Sequence, residues 1–298
     1  MRVSNSFKVG LMAASLIIAS PSQAQEDVKV KTQKLSETVS VLYGSGGNIG
    51  VSAGEDGVYI IDDQYANMTA KIRAAIAEIS DRPISYVINT HWHFDHTGGN
   101  ENFAATNSAI IAHDNVRKRM VTGGFIAAAD KNFPPAPKSA LPIITFNDTL
   151  TLHLNGEEAK LLHVKSAHTD GDGIVWFKGS NVIHMGDTFF NQMFPFIDLD
   201  SGGSINGIIA AADMILATAD ENTQIIPGHG QVTDKAGLKA YKHTLISVRD
   251  AVVSMKQKDM TLEEVMAANP SADFDKTWNT WGPNWKKLFI STLYNEAK

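Results

Sequence analysis

Twice along this chain a series of short β-rich segments gives way to an amphipathic helix, and that repetition restricts the fold more than any other feature. In the first half, Val39–Tyr43, Ile49–Ala53 and Val58–Asp62 are strand-forming runs separated by glycine-bearing turns at 44–47 and 54–57. Met68, Ile72, Ala75, Ile76 and Ile79 then recur at steps of three and four, the spacing of a helix with one inward face. Pro83 closes that helix, and Ile84–Asn89 and Ala109–Ala112 read as buried strands. In the second half, Leu150–Leu154 and Ala159–Val164 alternate on either side of an Asn155-Gly156 hairpin turn, and strands follow at Ile174–Phe177 and Val182–His184. Ile205, Ile208, Ile209, Ala212, Ile215 and Leu216 form one stripe of a helix over Ser204–Thr218. A strand at Gln224–Ile226 and two helices, near Asp234–Met255 and Asn284–Asn295, complete the pattern. Two such halves predict an α+β fold, an αββα four-layer sandwich with two mixed sheets face to face and helices outside.

The first 24 residues stand apart. Arg2 and Lys8 precede an apolar stretch, Val9–Ala19, and Ser22-Gln23-Ala24 carries small residues where a signal peptidase reads. This predicts a secretory signal peptide over 1–24 and a single domain over 25–298, in the periplasm or secreted. The stretch is too short for a bilayer core that takes about 20 residues, so no stable membrane anchor is expected. The net charge of −6 argues against nucleic acid as a partner and leaves a small-molecule substrate as the expectation. Nothing here specifies an oligomeric state. The chain has no cysteine, so disulfides are impossible and any metal must be held by histidine and carboxylate.

The chemistry concentrates in Asn89-Thr90-His91-Trp92-His93-Phe94-Asp95-His96-Thr97-Gly98-Gly99-Asn100, directly after a buried strand. In extended chain His91 and His93 point the same way and can grip one ion. A helical turn near Asp95 would swing Asp95 and His96 to the opposite side, toward a second. Imidazole nitrogen and carboxylate oxygen together suit zinc, at about 2.0–2.2 Å. Further ligands must come from loops after other strands, and His168, Asp187 and His229 each occupy such a place. Of the other histidines, His153 and His163 fall in alternating strands, where packing is expected. His113 and His243 fall on expected helices and should be solvated. His184 is either a plain strand residue or a support for a ligand.

His91-Trp92-His93-Phe94-Asp95-His96 followed by His168, Asp187 and His229 resembles the metallo-β-lactamase superfamily over about residues 35–235. That resemblance implies a binuclear zinc site at the edge of the two sheets. His91, His93 and His168 would hold the first ion, Asp95, His96 and His229 the second, and Asp187 would bridge them. It further implies a zinc-dependent hydrolase in which a metal-held water of lowered pKa attacks an ester, lactone, thioester or amide, with Asp95 as the catalytic residue orienting it. No Gly-x-Ser-x-Gly nucleophile segment is present. The clearest β-lactamase subclasses carry cysteine or serine where this chain has Asp187, and no lysine follows shortly after to hold a β-lactam carboxylate. Gly186-Asp187-Thr188 instead resembles glyoxalase II, lactonases and general hydrolases of the superfamily, although export fits a β-lactamase. Other readings are a phosphodiesterase with the same seven ligands, a persulfide dioxygenase with one iron, and a non-catalytic zinc-binding protein.

Four secondary features bear on the cleft. Gly44–Asn48 is a candidate mobile flap. Met193–Ile197 is either a greasy substrate wall or loop packing. Phe133–Pro142, with four prolines, is either a plain connection or a substrate cover. Trp278, Trp281 and Trp285 are expected chiefly to pack the last helix.

Overall fold

A computed structural model describes residues 28–278 and 284–297; the expected leader and Trp281 lie outside them. No helix among the described residues is long and apolar enough to cross a membrane.

Strands β1 (Lys31–Lys34), β2 (Val39–Tyr43), β3 (Ile49–Gly54) and β4 (Gly57–Ile61) form an antiparallel meander. After helix α1 (Thr69–Ala77), strand β5 (Ile84–Ile88) joins β4 in parallel. Short helices α2 (Phe94–Thr97) and α3 (Asn100–Ala104) lead into β6 (Ala109–His113). Helix α4 (Asp114–Thr122) and a hairpin of β7 (Gly124–Ile126) and β8 (Lys131–Phe133) precede β9 (Ile144–Phe146), which completes a seven-stranded sheet. The second sheet runs β10 (Thr149–Leu154), β11 (Glu157–His163), β12 (Gly173–Phe177) and β13 (Val182–His184), all antiparallel. Helix α5 (Ile205–Thr218) then returns the chain to β14 (Gln224–Ile226), parallel to β13. Helices α6 (Lys235–Lys256), α7 (Leu262–Ala268) and α8 (Trp285–Glu296) follow. Both sheets are mixed, as predicted.

Period-2 alternation decides which layer each side chain enters. On β4, Tyr59 and Ile61 face the second sheet while Val58 and Ile60 face α1. On β13 and β14, Val182 and Ile226 face inward, and Ile183 and Ile225 pack under α5 and α6. Between the sheets Tyr59 stacks on Phe177 with centroids 6.2 Å apart. Replacing the fully buried Phe177 by alanine would open that seam at a cost of about 3–5 kcal/mol. Ser204 and Asp234 cap α5 and α6 with their side chains, so both helices start one residue after the first residue of their expected ranges.

Two histidines depart from expectation. His113 is buried at the end of β6 instead of solvated on a helix; its ring accepts from the Asn115 N–H to cap α4. It stacks on His163, with centroids 3.7 Å apart. His153 has no packing role and is exposed on β10. His243 is exposed on α6, as predicted.

Candidate metal centre

The site lies where strands of both sheets end. His91 follows β5 in a bend and His93 in extended backbone; His93 then opens α2, and the turn of that helix carries Asp95 and His96 to the other side. His168 follows β11, Asp187 follows β13 and His229 follows β14. All seven predicted residues converge. They form two groups, His91, His93, His168 and Asp187 in one and Asp95, His96 and His229 in the other, each with its ligand atoms within 4.8 Å of one another.

Four of the imidazoles are oriented by the same device: one ring nitrogen donates to a fixed acceptor, which leaves the other nitrogen's lone pair pointing inward. His93 Nε2 donates to Asp198 Oδ2 at 2.9 Å and His96 Nδ1 to Asp62 Oδ2 at 2.7 Å. His168 Nδ1 donates to the Phe196 carbonyl at 2.8 Å. His91 Nδ1 donates to Thr90 Oγ1 at 3.0 Å, whose own hydroxyl donates to Asp62 Oδ2 at 2.7 Å. The inward atoms are close. His93 Nδ1 and His168 Nε2 are 2.9 Å apart, and His96 Nε2 and His229 Nε2 are 3.3 Å apart. Asp187 stands between the groups: Oδ2 is 3.8 Å from His91 Nε2 and 3.5 Å from His168 Nε2, while Oδ1 is 3.1 Å from His96 Nε2 and 3.5 Å from His229 Nε2. Asp95 Oδ2 is 3.6 Å from His96 Nε2 and 3.3 Å from His229 Nε2.

These residues fit divalent cations. Tetrahedral ligands at about 2.0–2.2 Å from zinc stand about 3.3–3.6 Å from one another, the range these pairs bracket. His91 Nε2 and Asp187 Oδ1 are buried without a hydrogen bond, a state that costs about 1–3 kcal/mol per group unless a cation satisfies it. The electrostatics agree. Burial pushes His91 well below its ordinary pKa, and the neighbouring His96 adds to that. Burial together with His93 outweighs the pull of Asp187 and lowers His168 to about 4, so both offer neutral nitrogens. Burial alone would raise the Asp187 carboxyl, yet His96, His229 and His91 around it hold it well below the usual range. Asp95 is likewise lowered to about 2 against its burial, by His96 and His229.

Glycine permits the closest approaches. A Cβ on Gly228 would stand 2.0 Å from Asp187 Oδ1, and one on Gly47 would stand 2.0 Å from the His96 ring. The 44–48 loop, a candidate flap from its sequence, is pinned at this end: Gly47 N–H donates to the Asp95 carbonyl and Asn48 N–H to the Gly228 carbonyl. His184 is buried, ties β13 to the Asn48 carbonyl at 3.1 Å and accepts at Nδ1 from the Gly186 N–H, just before Asp187.

Two cavities open onto the centre. One of about 400 Å³ is lined by Tyr43, Gly44–Gly46, Asn48, Asp95 and Gln231, among others. Another of about 200 Å³ reaches Asp95, Asp187 and His229 between Phe94, Ile126 and Phe196. Phe196 and Met193 thus line the cleft while Phe194 packs in the core against Trp278, so both readings of Met193–Ile197 hold, for different residues. Trp278 packs on Tyr241, and Trp285 on α8 both packs and lines the smaller cavity. Phe133, from the proline-rich connection, stacks on Phe94 with centroids 4.4 Å apart. Asp62, Thr90, Asp172 and Asp198, which hold the ligands in place, were not marked out by sequence reasoning. Asp172 accepts from the His168 N–H at 2.7 Å and fixes that loop.

Two stacked sheets with paired histidine–carboxylate clusters at their edge, able to hold metal ions, define an αββα metallo-hydrolase-like protein. The chain belongs to the metallo-beta-lactamase superfamily, whose sequence profile matches residues 42–250. It is 30% identical over 161 residues to a hydroxyacylglutathione hydrolase of Polaromonas sp., covering 53% of each chain. A second hydroxyacylglutathione hydrolase, from Nitrosococcus oceani, is 29% identical over 65% of this chain and 63% of its own. The match therefore spans about half to two thirds of these relatives. Among solved structures, a metallo-beta-lactamase from Pontibacter korlensis superposes with a TM-score of 0.60 at 16% identity, covering 73% of this chain and 99% of that one. A stereoselective inverting sec-alkylsulfatase from Pseudomonas sp. gives 0.66 at 15% identity, over 89% of this chain and 50% of that one. These likenesses establish the fold.

Proposed function

We propose that the protein is a binuclear zinc hydrolase that cleaves an ester, lactone or thioester with water. His91, His93 and His168 would hold one ion, Asp95, His96 and His229 the other, and Asp187 would contribute one oxygen to each. Zinc, when bound, supplies a Lewis acid and a water of lowered pKa. The chain's own residues do the rest. Asp62, Asp198, Thr90 and the Phe196 carbonyl fix the imidazoles before substrate arrives, so little reorganisation accompanies the reaction. Asp95, the carboxylate of the centre most open to the cleft, accepts a hydrogen bond from the attacking water and aims it at the substrate. The Gly44–Asn48 loop and the Phe94–Phe196 wall confine the substrate above it.

The observation that carries this reading is the inward set of lone pairs, each imposed by a hydrogen bond on the ring's far side. The hydroxyacylglutathione hydrolases among its relatives favour acyl-transfer chemistry over the phosphodiester, dioxygenase and non-catalytic alternatives. A β-lactam remains a candidate substrate only without an ion pair to its carboxylate. Elemental mass spectrometry of the purified protein should find two zinc ions per chain. Turnover in a panel of nitrocefin, an acyl lactone, a glutathione thioester and bis-p-nitrophenyl phosphate should fall on the acyl compounds. One iron per chain with oxygen uptake, or turnover of the phosphodiester alone, would overturn the proposal.

A further inference from the structure

The smaller cavity beside the centre has a distinct chemistry. Apart from the ligand candidates its walls are Phe94, Ile126, Phe190, Phe196 and Trp285, with Tyr65 and the exposed Ala128 and Ala129 of the hairpin loop. The charged groups on its lining are the ligands themselves, Asp95, Asp187 and the histidines. Among the described residues lining either cavity there is no lysine or arginine. The nearby hairpin cation, Lys131, lies 5.3 Å over the Phe133 ring and lines neither. The carboxylates at the centre are also numerous. Asp95 and Asp187 are ligand candidates, and Asp62 and Asp198 receive hydrogen bonds from His96 and His93. Their four negative charges match those of two divalent cations, which leaves no surplus positive field for an anionic substrate.

We propose that this cleft selects an uncharged substrate, its short apolar chain seated on the Phe94–Ile126–Phe196–Trp285 wall, over anionic conjugates such as glutathione thioesters. The inference rests on the hydrolase reading for its chemistry but on the wall alone for its selectivity. An apolar chain entering the cavity gains about 0.8 kcal/mol per buried methylene, about a fourfold step in affinity. An anionic headgroup loses hydration there and finds no lysine or arginine to pair with.

Binding separates this from catalysis. N-hexylacetamide and S-hexylglutathione carry the same alkyl chain on a neutral and an anionic head, and neither has a readily hydrolysed bond. Titration calorimetry on the full-length protein, zinc-loaded and after chelation, should give at least tenfold tighter binding of the amide in both forms. Shortening its chain from hexyl to butyl should weaken binding about fifteenfold. Ala128→Lys, at an exposed rim position, should tighten S-hexylglutathione several-fold and leave the melting temperature in place. Equal or tighter binding of S-hexylglutathione by the unaltered protein overturns the proposal, and so does binding of neither compound. If the amide preference holds while the loaded protein hydrolyses no ester, lactone or thioester, the hydrolase reading fails and the selectivity stands.

Discussion

The two ligand groups lie on either side of Asp187 and differ in how they are enclosed. In the first group His91, His93 and His168 are all buried, and each is gripped from behind by a separate acceptor. In the second, the Asp95 side chain keeps 17% of its surface and that of His229 keeps 9%, and both line the cavities. The closed group is built for retention, with neutral nitrogens held at fixed positions. The open group is built for access, since a water or substrate can reach it without moving a wall. A loaded centre should therefore exchange its two ions at different rates.

The largest effect expected from this contrast comes from His168→Ala. It removes a ligand from the closed group, and the loss of activity should exceed the roughly 100-fold typical of supporting residues. Metal content should fall toward one ion per chain. Asp187→Ala should also lower occupancy, but unequally: three histidines remain in the closed group, so the ion in the open group leaves first during dialysis against a weak chelator. Equal loss of both ions would break the comparison and the bridging role together.

The same enclosure explains what could be read from the sequence. His91–His96 was legible because four ligands crowd into six residues after an apolar strand, and the helical turn needed to split them was foreseeable. His168, Asp187 and His229 were legible by their place after strands. Asp62 and Asp198 were not. An aspartate ending Val58–Asp62 looks like a turn residue, and its support of both His96 and, through Thr90, His91 exists only once β4 and β5 lie side by side. Asp198 meets His93 across 105 residues of chain, which no local pattern reports. A helix was expected at His113 without bounds; α4 begins just after it, with only Val116 and Met120 buried, too sparse a stripe to delimit it, and α7 was not expected. For α7 a signal was present: Thr261 and Glu264 form a capping box. Strand β1 is exposed at all four positions and carries no apolar alternation.

Those two aspartates sharpen the contrast. Of the ligand candidates Asp198 hydrogen-bonds His93, so Asp198→Asn should weaken the closed group alone, about 10- to 100-fold in metal affinity. Asp62→Asn strikes at His96 and at the Thr90–His91 link, and should weaken both ions by a similar factor. Competition with a fluorescent zinc chelator, resolving two binding steps, distinguishes them. If both variants displaced the same single ion, the enclosure argument would fail.

The smallest effect should come from Ser201→Ala, a step further from the metal ligands. Ser201 Oγ accepts from the buried Trp92 Nε1 at 3.1 Å, and the Ser201 backbone N–H donates to Asp198 Oδ1 at 3.1 Å. Alanine keeps the backbone contact to Asp198 and removes only the acceptor for Trp92. The indole N–H then loses its partner at a cost of about 1–3 kcal/mol in stability. Urea unfolding should register that loss, while zinc affinity at the closed group changes less than tenfold, because Asp198 still receives its backbone bond and still faces His93. A stability loss accompanied by metal release as large as that of Asp198→Asn would mean that Trp92 positions His93 as strongly as Asp198 does, and that the closed group is held by packing more than by hydrogen bonds.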